Sequence, residues 1–389
     1  MPYQGKDRSF VSKAFKGLAI KEFANTPKIA SLFAGCGGMD LPFHRAGFES
    51  QYVNECNKFA AYTYEQNFGT PVDTTPVEEV NFSTIGKTDI ILGGFPCQDF
   101  SMIWKRPGIY GTRGNLYTYF LEAVNLLKPK IFVVENVVGI LSANKGAAIA
   151  TIIRDFELIE PGYLIIPKLY RFVEFGVPQL RERVVLVGIR VDTGFNFVHP
   201  ISTHGVGKKK IVSSGDALKG LDRSFPNQEF MNIADKTRRM LKMIPPGGNF
   251  KDVPRDSDLY VKGMISHVYR RLNPDEPSMT IIAGGGGGTW GYHYPEPRAL
   301  TNRERARIQS FPDDFVFEGS FTEIRRQIGN AVPPVGIIPL VNQVSRLFSS
   351  EYEPVNLRAA MKKIHEIPIK EKIKIAKRKD RVDWLELLE

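Results

Sequence analysis

Apolar runs that stop abruptly at glycine recur along the first half of the chain. Lys28-Ile29-Ala30-Ser31-Leu32-Phe33 reads as a short strand, Ala34-Gly35-Cys36-Gly37-Gly38 as a tight turn, and Met39 to Ala46 as a helix. Gln51-Tyr52-Val53 predicts a second strand ending at Asn54-Glu55, with a helix over Lys58 to Asn67. Asp89 to Leu92, Ile131 to Val134 running into Glu135-Asn136-Val137, and Arg183 to Ile189 predict further strands. Strands alternating with helices imply an α/β fold with a doubly wound, mainly parallel sheet.

After Arg190 the texture changes to loops: Gly205 to Lys210, Pro245-Pro246-Gly247-Gly248 and Gly284 to Gly288, with few periodic segments between them. Residues 191–297 are therefore expected to form a smaller, loop-rich second domain after a first part over 1–190. Patterning returns at Leu300, where Thr301 and Glu304 have capping-box spacing at the start of a helix. That helix is expected to return to the first domain over 298–348. Residues 349–389 form an extension whose stretch from Leu357 to Arg381 is rich in lysine and arginine, expected to be a solvated tail.

Candidate chemistry sits at strand ends. Ile90-Ile91-Leu92 stops at Gly93-Gly94 and is followed by Phe95-Pro96-Cys97-Gln98. A free cysteine usually packs as a small hydrophobe. Here the two glycines permit a sharp turn and Pro96 stiffens it, so Cys97 is presented where open α/β sheets keep their reactive groups. Glu55, at the end of the second strand, is placed to accept hydrogen bonds from ribose hydroxyls. A dinucleotide dehydrogenase would use the same geometry. However, the third glycine of GxGxxG is missing at its spacing, and a cysteine nucleophile has no part in hydride transfer. An adenosine cofactor without phosphates fits better.

Composition narrows the partner. The chain has 389 residues, 42% of them hydrophobic, and a formal net charge of +10, which favours a polyanionic partner, nucleic acid first, over a merely basic enzyme. Cys36, Cys56 and Cys97 are too scattered for a disulfide framework or a CxxC metal pair, so a reducing cytoplasm and no metal are expected. No signal-like apolar segment or membrane-length run is present in the sequence, so a soluble, unexported protein is expected.

Five motifs occur in order: Phe33-Ala34-Gly35-Cys36-Gly37-Gly38, Gly94-Phe95-Pro96-Cys97-Gln98, Glu135-Asn136-Val137, Gln179-Leu180-Arg181-Glu182-Arg183, and Gln327-Ile328-Gly329-Asn330-Ala331-Val332-Pro333-Pro334. Together they resemble the cytosine-C5 DNA methyltransferases of the bacterial modification type, over about residues 28–190 and 298–348. The resemblance implies a Rossmann-like domain dependent on S-adenosyl-L-methionine, with 191–297 as a target-recognition domain. It implies that Cys97 adds to C6 of a flipped cytosine so that C5 can take the methyl group. Glu135 would act at ring nitrogen 3, Arg183 would reach the base carbonyl, and Arg181 would support the site.

By the same resemblance Phe33, Gly35, Gly37, Glu55, Asp73, Leu116 and Asn330 would bind the cofactor, with Asp73 at the adenine amino group. Cys56 departs from the pattern, standing where the family often has a large apolar residue to stack on adenine. The loop from Ser101 to Asn115 would close on DNA through Ser101, Lys105, Arg106 and Arg113. The implied partner is double-stranded DNA, with no membrane. The protein is expected to act as a monomer in the cytoplasm at the nucleoid, with any cognate restriction endonuclease acting separately. An RNA cytosine-C5 methyltransferase and a catalytically silent DNA-binding protein on the same fold are the alternatives. The length of the variable segment argues against the first and the retained cysteine, acid and arginines against the second.

Overall fold

A computed structural model describes residues 9–23, 25–96, 116–221, 223–260, 262–263, 268–284, 287–289, 291–357, 363–364 and 366–378. Cys97 and the loop residues Ser101, Lys105, Arg106 and Arg113 lie outside the described residues. The chain forms two compact units. One comprises Leu18–Arg171, Glu182–Ser202 and the chain from Ile337 onward; the other comprises Phe172–Arg181, Thr203–Gly336 and the N-terminal stretch to Gly17.

The first unit is built on a six-stranded sheet. Its strands are β1 (Lys28–Leu32), β2 (Glu49–Asn54), β3 (Ile90–Gly93), β4 (Ile131–Val137), β5 (Tyr163–Arg171) and β6 (Glu182–Arg190), in spatial order β2-β1-β3-β4-β6-β5. β1 pairs in parallel with β2 and β3, and β3 with β4. β6 runs antiparallel to both β4 and β5. The expected strand over Arg183 to Ile189 is thus present, but it is the one that reverses the sheet's direction.

Helices α1 (Asp40–Arg45), α2 (Lys58–Phe68), α3 (Leu116–Leu127) and α4 (Ala147–Glu157) accompany it. Asn57 caps α2 through its side chain, and Gly69 ends that helix in the left-handed region. The apolar faces meet in a core that includes Ala30, Leu32, Ile91, Phe120, Phe132, Phe156 and Ile165. The chain leaves β1 to one side for β2 and returns to its other side for β3. The crevice at the carboxyl ends of β1 and β3 is where such a sheet binds ligands.

The described part of the C-terminal segment includes more than the solvated tail its charge suggested. Ile369–Ala376 forms a helix whose Ile369 and Ile373 pack on the main core and whose Ile375 and Ala376 are buried. Its isoleucines recur at helical spacing, a face hidden among the lysines. Lys372 is buried with it and pairs with Glu157 at 2.8 Å. Glu157→Ala, which leaves this ammonium uncompensated, is expected to destabilise the protein by about 3 kcal/mol. Thermal denaturation of Glu157→Ala beside Glu157→Ala/Lys372→Met checks this, since the double variant should recover most of the loss.

The second unit has short elements, including helices Ser214–Leu218, Asp235–Met243, Asn302–Ile308 and Phe321–Asn330, and a parallel pair, Gln179–Leu180 with Ser278–Met279. The capping box forms as its spacing predicted: the Glu304 amide donates to Thr301 Oγ1 at 3.1 Å, and the Thr301 amide to Glu304 Oε2 at 2.8 Å. The helix it starts belongs to this unit, however, so the units divide the chain after Gly336 and not after residue 297. Arginines account for the difference. Arg303 donates to the carbonyls of Pro226 and Pro312, each at 3.0 Å, and Arg307 pairs with Asp313 and reaches the Lys219 carbonyl at 2.8 Å. Every residue of this helix is buried. Among the described residues no helix is long and apolar enough to cross a membrane.

Candidate active site

At the end of β1 the chain makes a tight turn through left-handed backbone. Phe33, Gly35 and Gly37 have φ of 55°, 57° and 84°. A Cβ on Gly37 would stand 2.4 Å from the Phe68 ring, whereas one on Gly35 would meet nothing within 4 Å. Gly37 therefore packs on protein, and Gly35 faces space a ligand can use. The floor is a stack of Tyr64 on Phe68, with ring centroids 4.2 Å apart.

Glu55 locks this turn to the end of β2. Its carboxylate accepts the amides of Gly35 and Asn57, each at 2.8 Å. Asp73 lies beside β2 through a parallel bridge to Asn54 and accepts the Tyr52 hydroxyl at 2.6 Å and the Thr75 amide at 2.9 Å. Burial opposes ionisation of Asp73, yet the hydrogen bonds from Thr75 and Tyr52 hold it below the usual carboxylate range. Phe33 and Leu116 pack on the same core. The structure thus gathers Phe33, Gly35, Gly37, Glu55, Asp73 and Leu116 in one unit, whereas Asn330 belongs to the other, exposed at the end of its helix.

Sequence reasoning missed Asp40. It is buried beneath the turn and accepts hydroxyls from Ser31 and from Tyr64, the latter at 3.0 Å. Burial raises its pKa to about 6 against the pull of those hydrogen bonds. Its one signal was an acid in the first turn of an otherwise apolar helix face. Burial also pushes the Cys36 thiol up, so Cys36 is an inert part of the turn, while Cys56 is exposed.

The second cluster lies at the ends of β3, β4 and β6. Phe95 is buried against Tyr117 and Phe120, and its carbonyl accepts Asn136 Nδ2 at 3.0 Å. The segment leading to Cys97 is thereby fixed to β4. A Cβ on Gly94 would stand 3.6 Å from the Glu135 carbonyl, so the strands converge here. Glu135 lies on β4, and Arg183, from the antiparallel β6, places Nε 2.9 Å from its Oε1. The pair is largely buried, the side chains being 11% and 18% exposed, which strengthens their attraction over that of a surface pair.

Arg181 and Arg183 belong to different units, since the chain passes from the second unit to the first between Arg181 and Glu182. It is buried in the second unit, and its Nη1 donates to the Gly329 carbonyl at 3.0 Å, beside Asn330.

Parallel strands with one reversed member, a glycine turn after β1 and an acid closing β2 define the Rossmann-like fold of S-adenosylmethionine-dependent methyltransferases. A family model described as C-5 cytosine-specific DNA methylase matches residues 27–346, and the chain belongs to that family. It is a DNA (cytosine-5-)-methyltransferase. Over 354 residues it is 56% identical to the Type II methyltransferase M.NgoFVII of Neisseria gonorrhoeae, covering 90% of this chain and 94% of that one. It is 39% identical to the Type II methyltransferase M.BbvI of Brevibacillus brevis over 349 residues, covering 84% and 92%. The crystal structure of S. pombe Dnmt2 methyltransferase shares the fold, with a TM-score of 0.58 at 15% identity over 82% of this chain and 98% of that one.

Proposed function

We propose that this protein methylates C5 of cytosine in a specific duplex DNA sequence, as the modification enzyme of a Type II restriction-modification system whose endonuclease is a separate protein. The carrying observation is the Glu135–Arg183 pair held against the segment that Asn136 ties down two residues before Cys97. In this reading Cys97 adds as thiolate to C6 while Glu135 hydrogen-bonds ring nitrogen 3 and Arg183 steadies Glu135 and the base carbonyl. C5 then takes the methyl group, the C5 proton passes to solvent, and its electron pair expels Cys97 from C6 as thiolate to restore the ring.

S-adenosylmethionine would supply the methyl group from a sulfonium, leaving S-adenosylhomocysteine. The residues present fit it. Gly35 leaves open space beside the turn, and the Glu55 carboxylate that accepts its amide is an acceptor of the kind a ribose hydroxyl needs. Phe33, Gly37, Asp73, Leu116 and Asn330 are the other proposed contacts. The unit over Thr203–Gly336 is proposed to read sequence, the loop with Ser101, Lys105, Arg106 and Arg113 to hold the backbone, and Arg181 to brace the segment before Asn330. The protein is proposed to act as a monomer.

Methyl transfer to duplex DNA and to transfer RNA, followed by bisulfite mapping, tests the reading; transfer to RNA alone would overturn it. Glu55→Ala is expected to weaken S-adenosylmethionine binding by about 1–3 kcal/mol. Calorimetric titration without DNA measures this, and an unchanged dissociation constant removes Glu55 from the cofactor site.

A further inference from the structure

Within the second unit lies a half-open cavity of about 360 Å³. Three of its lining residues, Leu180, Met279 and Ile282, are large apolar side chains left exposed. Arg270, Arg305 and Arg325 line it as well, and their situations differ. Arg305 donates to the Leu300 carbonyl and to Asn302, and Arg325 to the Gly284 carbonyl at 2.7 Å. Arg271, which also lines the cavity, is likewise consumed by backbone, reaching the carbonyls of Leu241 at 3.0 Å and His293 at 3.1 Å. The Arg270 side chain has no hydrogen bond or ion pair among the described residues, only its carbonyl being engaged, by the Tyr292 amide at 3.3 Å, and its Nε is buried without an acceptor. A guanidinium on the lining without a protein partner keeps its donors for an acceptor-bearing ligand.

We propose that this cavity receives the major-groove edge of a guanine in duplex DNA and that Arg270 is the residue that reads it. The inference rests on the reading of this unit as the sequence-recognising part. A guanidinium fork matches the paired acceptors O6 and N7 of guanine. The exposed apolar rim suits thymine methyl groups and sugars along a groove, whereas a phosphate site would be rimmed by solvated charge. Exposed Glu276, also on the lining, would repel a phosphate but can accept from a cytosine amino group. A guanine is always available, since the target cytosine has one opposite it.

The test uses the full chain on its mapped site, with 7-deazaguanine replacing each guanine in turn, and compares the parent with Arg270→Ala and Arg270→Lys. In the parent, one position should lose affinity on replacement. Arg270→Ala should lower affinity for the site by about 10- to 100-fold and abolish the response at that position. Affinity for unrelated duplex and for S-adenosylmethionine should stay unchanged, which also establishes that the variant is folded. Arg270→Lys, which keeps the charge but not the fork, should fail to restore the response. If no guanine of the parent's site responds, or if the response persists in the variants, the inference is overturned. It is equally overturned if Arg270→Ala weakens all sequences alike and lowers the salt slope by about one, the mark of a phosphate contact. A parent that methylates no duplex DNA would instead defeat the functional reading beneath it.

Discussion

Cys97→Ala is expected to lose methyl transfer by on the order of 10⁴-fold or more, while binding S-adenosylmethionine as the parent does. C5 of cytosine is too weak a nucleophile to attack the methyl group until a thiolate adds at C6, so without the sulfur no alternative path is available. The structure supports this from the flank. Phe95 is buried at the end of β3, and Asn136 holds its carbonyl, so the two residues that follow start from a fixed point beside Glu135. The glycine turn is held by Glu55, whose carboxylate accepts the amides of Gly35 and Asn57, and that scaffold is separate in sequence from Cys97. The measurement is a pair: single-turnover methylation, and covalent capture on duplex DNA containing 5-fluorocytosine, in which fluorine replaces the C5 proton and cannot be eliminated. Only the parent should form the stable adduct. Methylation by the alanine variant would remove Cys97 from the nucleophile's role.

The glycine turn, the strand-end acid and the motif over Glu135 were legible because each local pattern agrees with its tertiary role. Other parts were not, and the reasons are specific. β5 contains Pro167, which argues against a strand; the sheet tolerates it because β5 is the edge strand. The helix Asn302–Ile308 was visible by its cap, but its destination was not. Three of its arginines look like surface and are in fact buried on backbone carbonyls and Asp313. The helix over Ile369–Ala376 was hidden for the same reason, since its buried Lys372 reads as one more tail charge. Asp40 and Asn136 matter through partners far along the chain, Tyr64 and Phe95, and no spacing announces such pairs. Sequence composition mistakes a charge satisfied inside the protein for one satisfied by water.

Glu135→Gln is expected to lower the rate of methyl transfer by about 10²- to 10⁴-fold, the range for removing a positioned acid or base from a transition state. The choice of glutamine isolates that role. Its amide has nearly the shape of the carboxylate whose Oε1 now lies 2.9 Å from Arg183 Nε, so the packing between β4 and β6 is kept. What disappears is the carboxyl group that can share a proton with ring nitrogen 3 as negative charge develops on the ring. The loss should therefore appear in thiolate addition itself, as slower formation of the 5-fluorocytosine adduct, with the dissociation constants for S-adenosylmethionine and DNA little changed. Arg183→Ala is the counterpart. It removes the partner of a largely buried carboxylate and should slow the same step. A Glu135→Gln enzyme that forms the adduct at the parental rate would reduce Glu135 to a structural ion-pair partner, leaving base activation to be sought elsewhere among the residues beside Cys97.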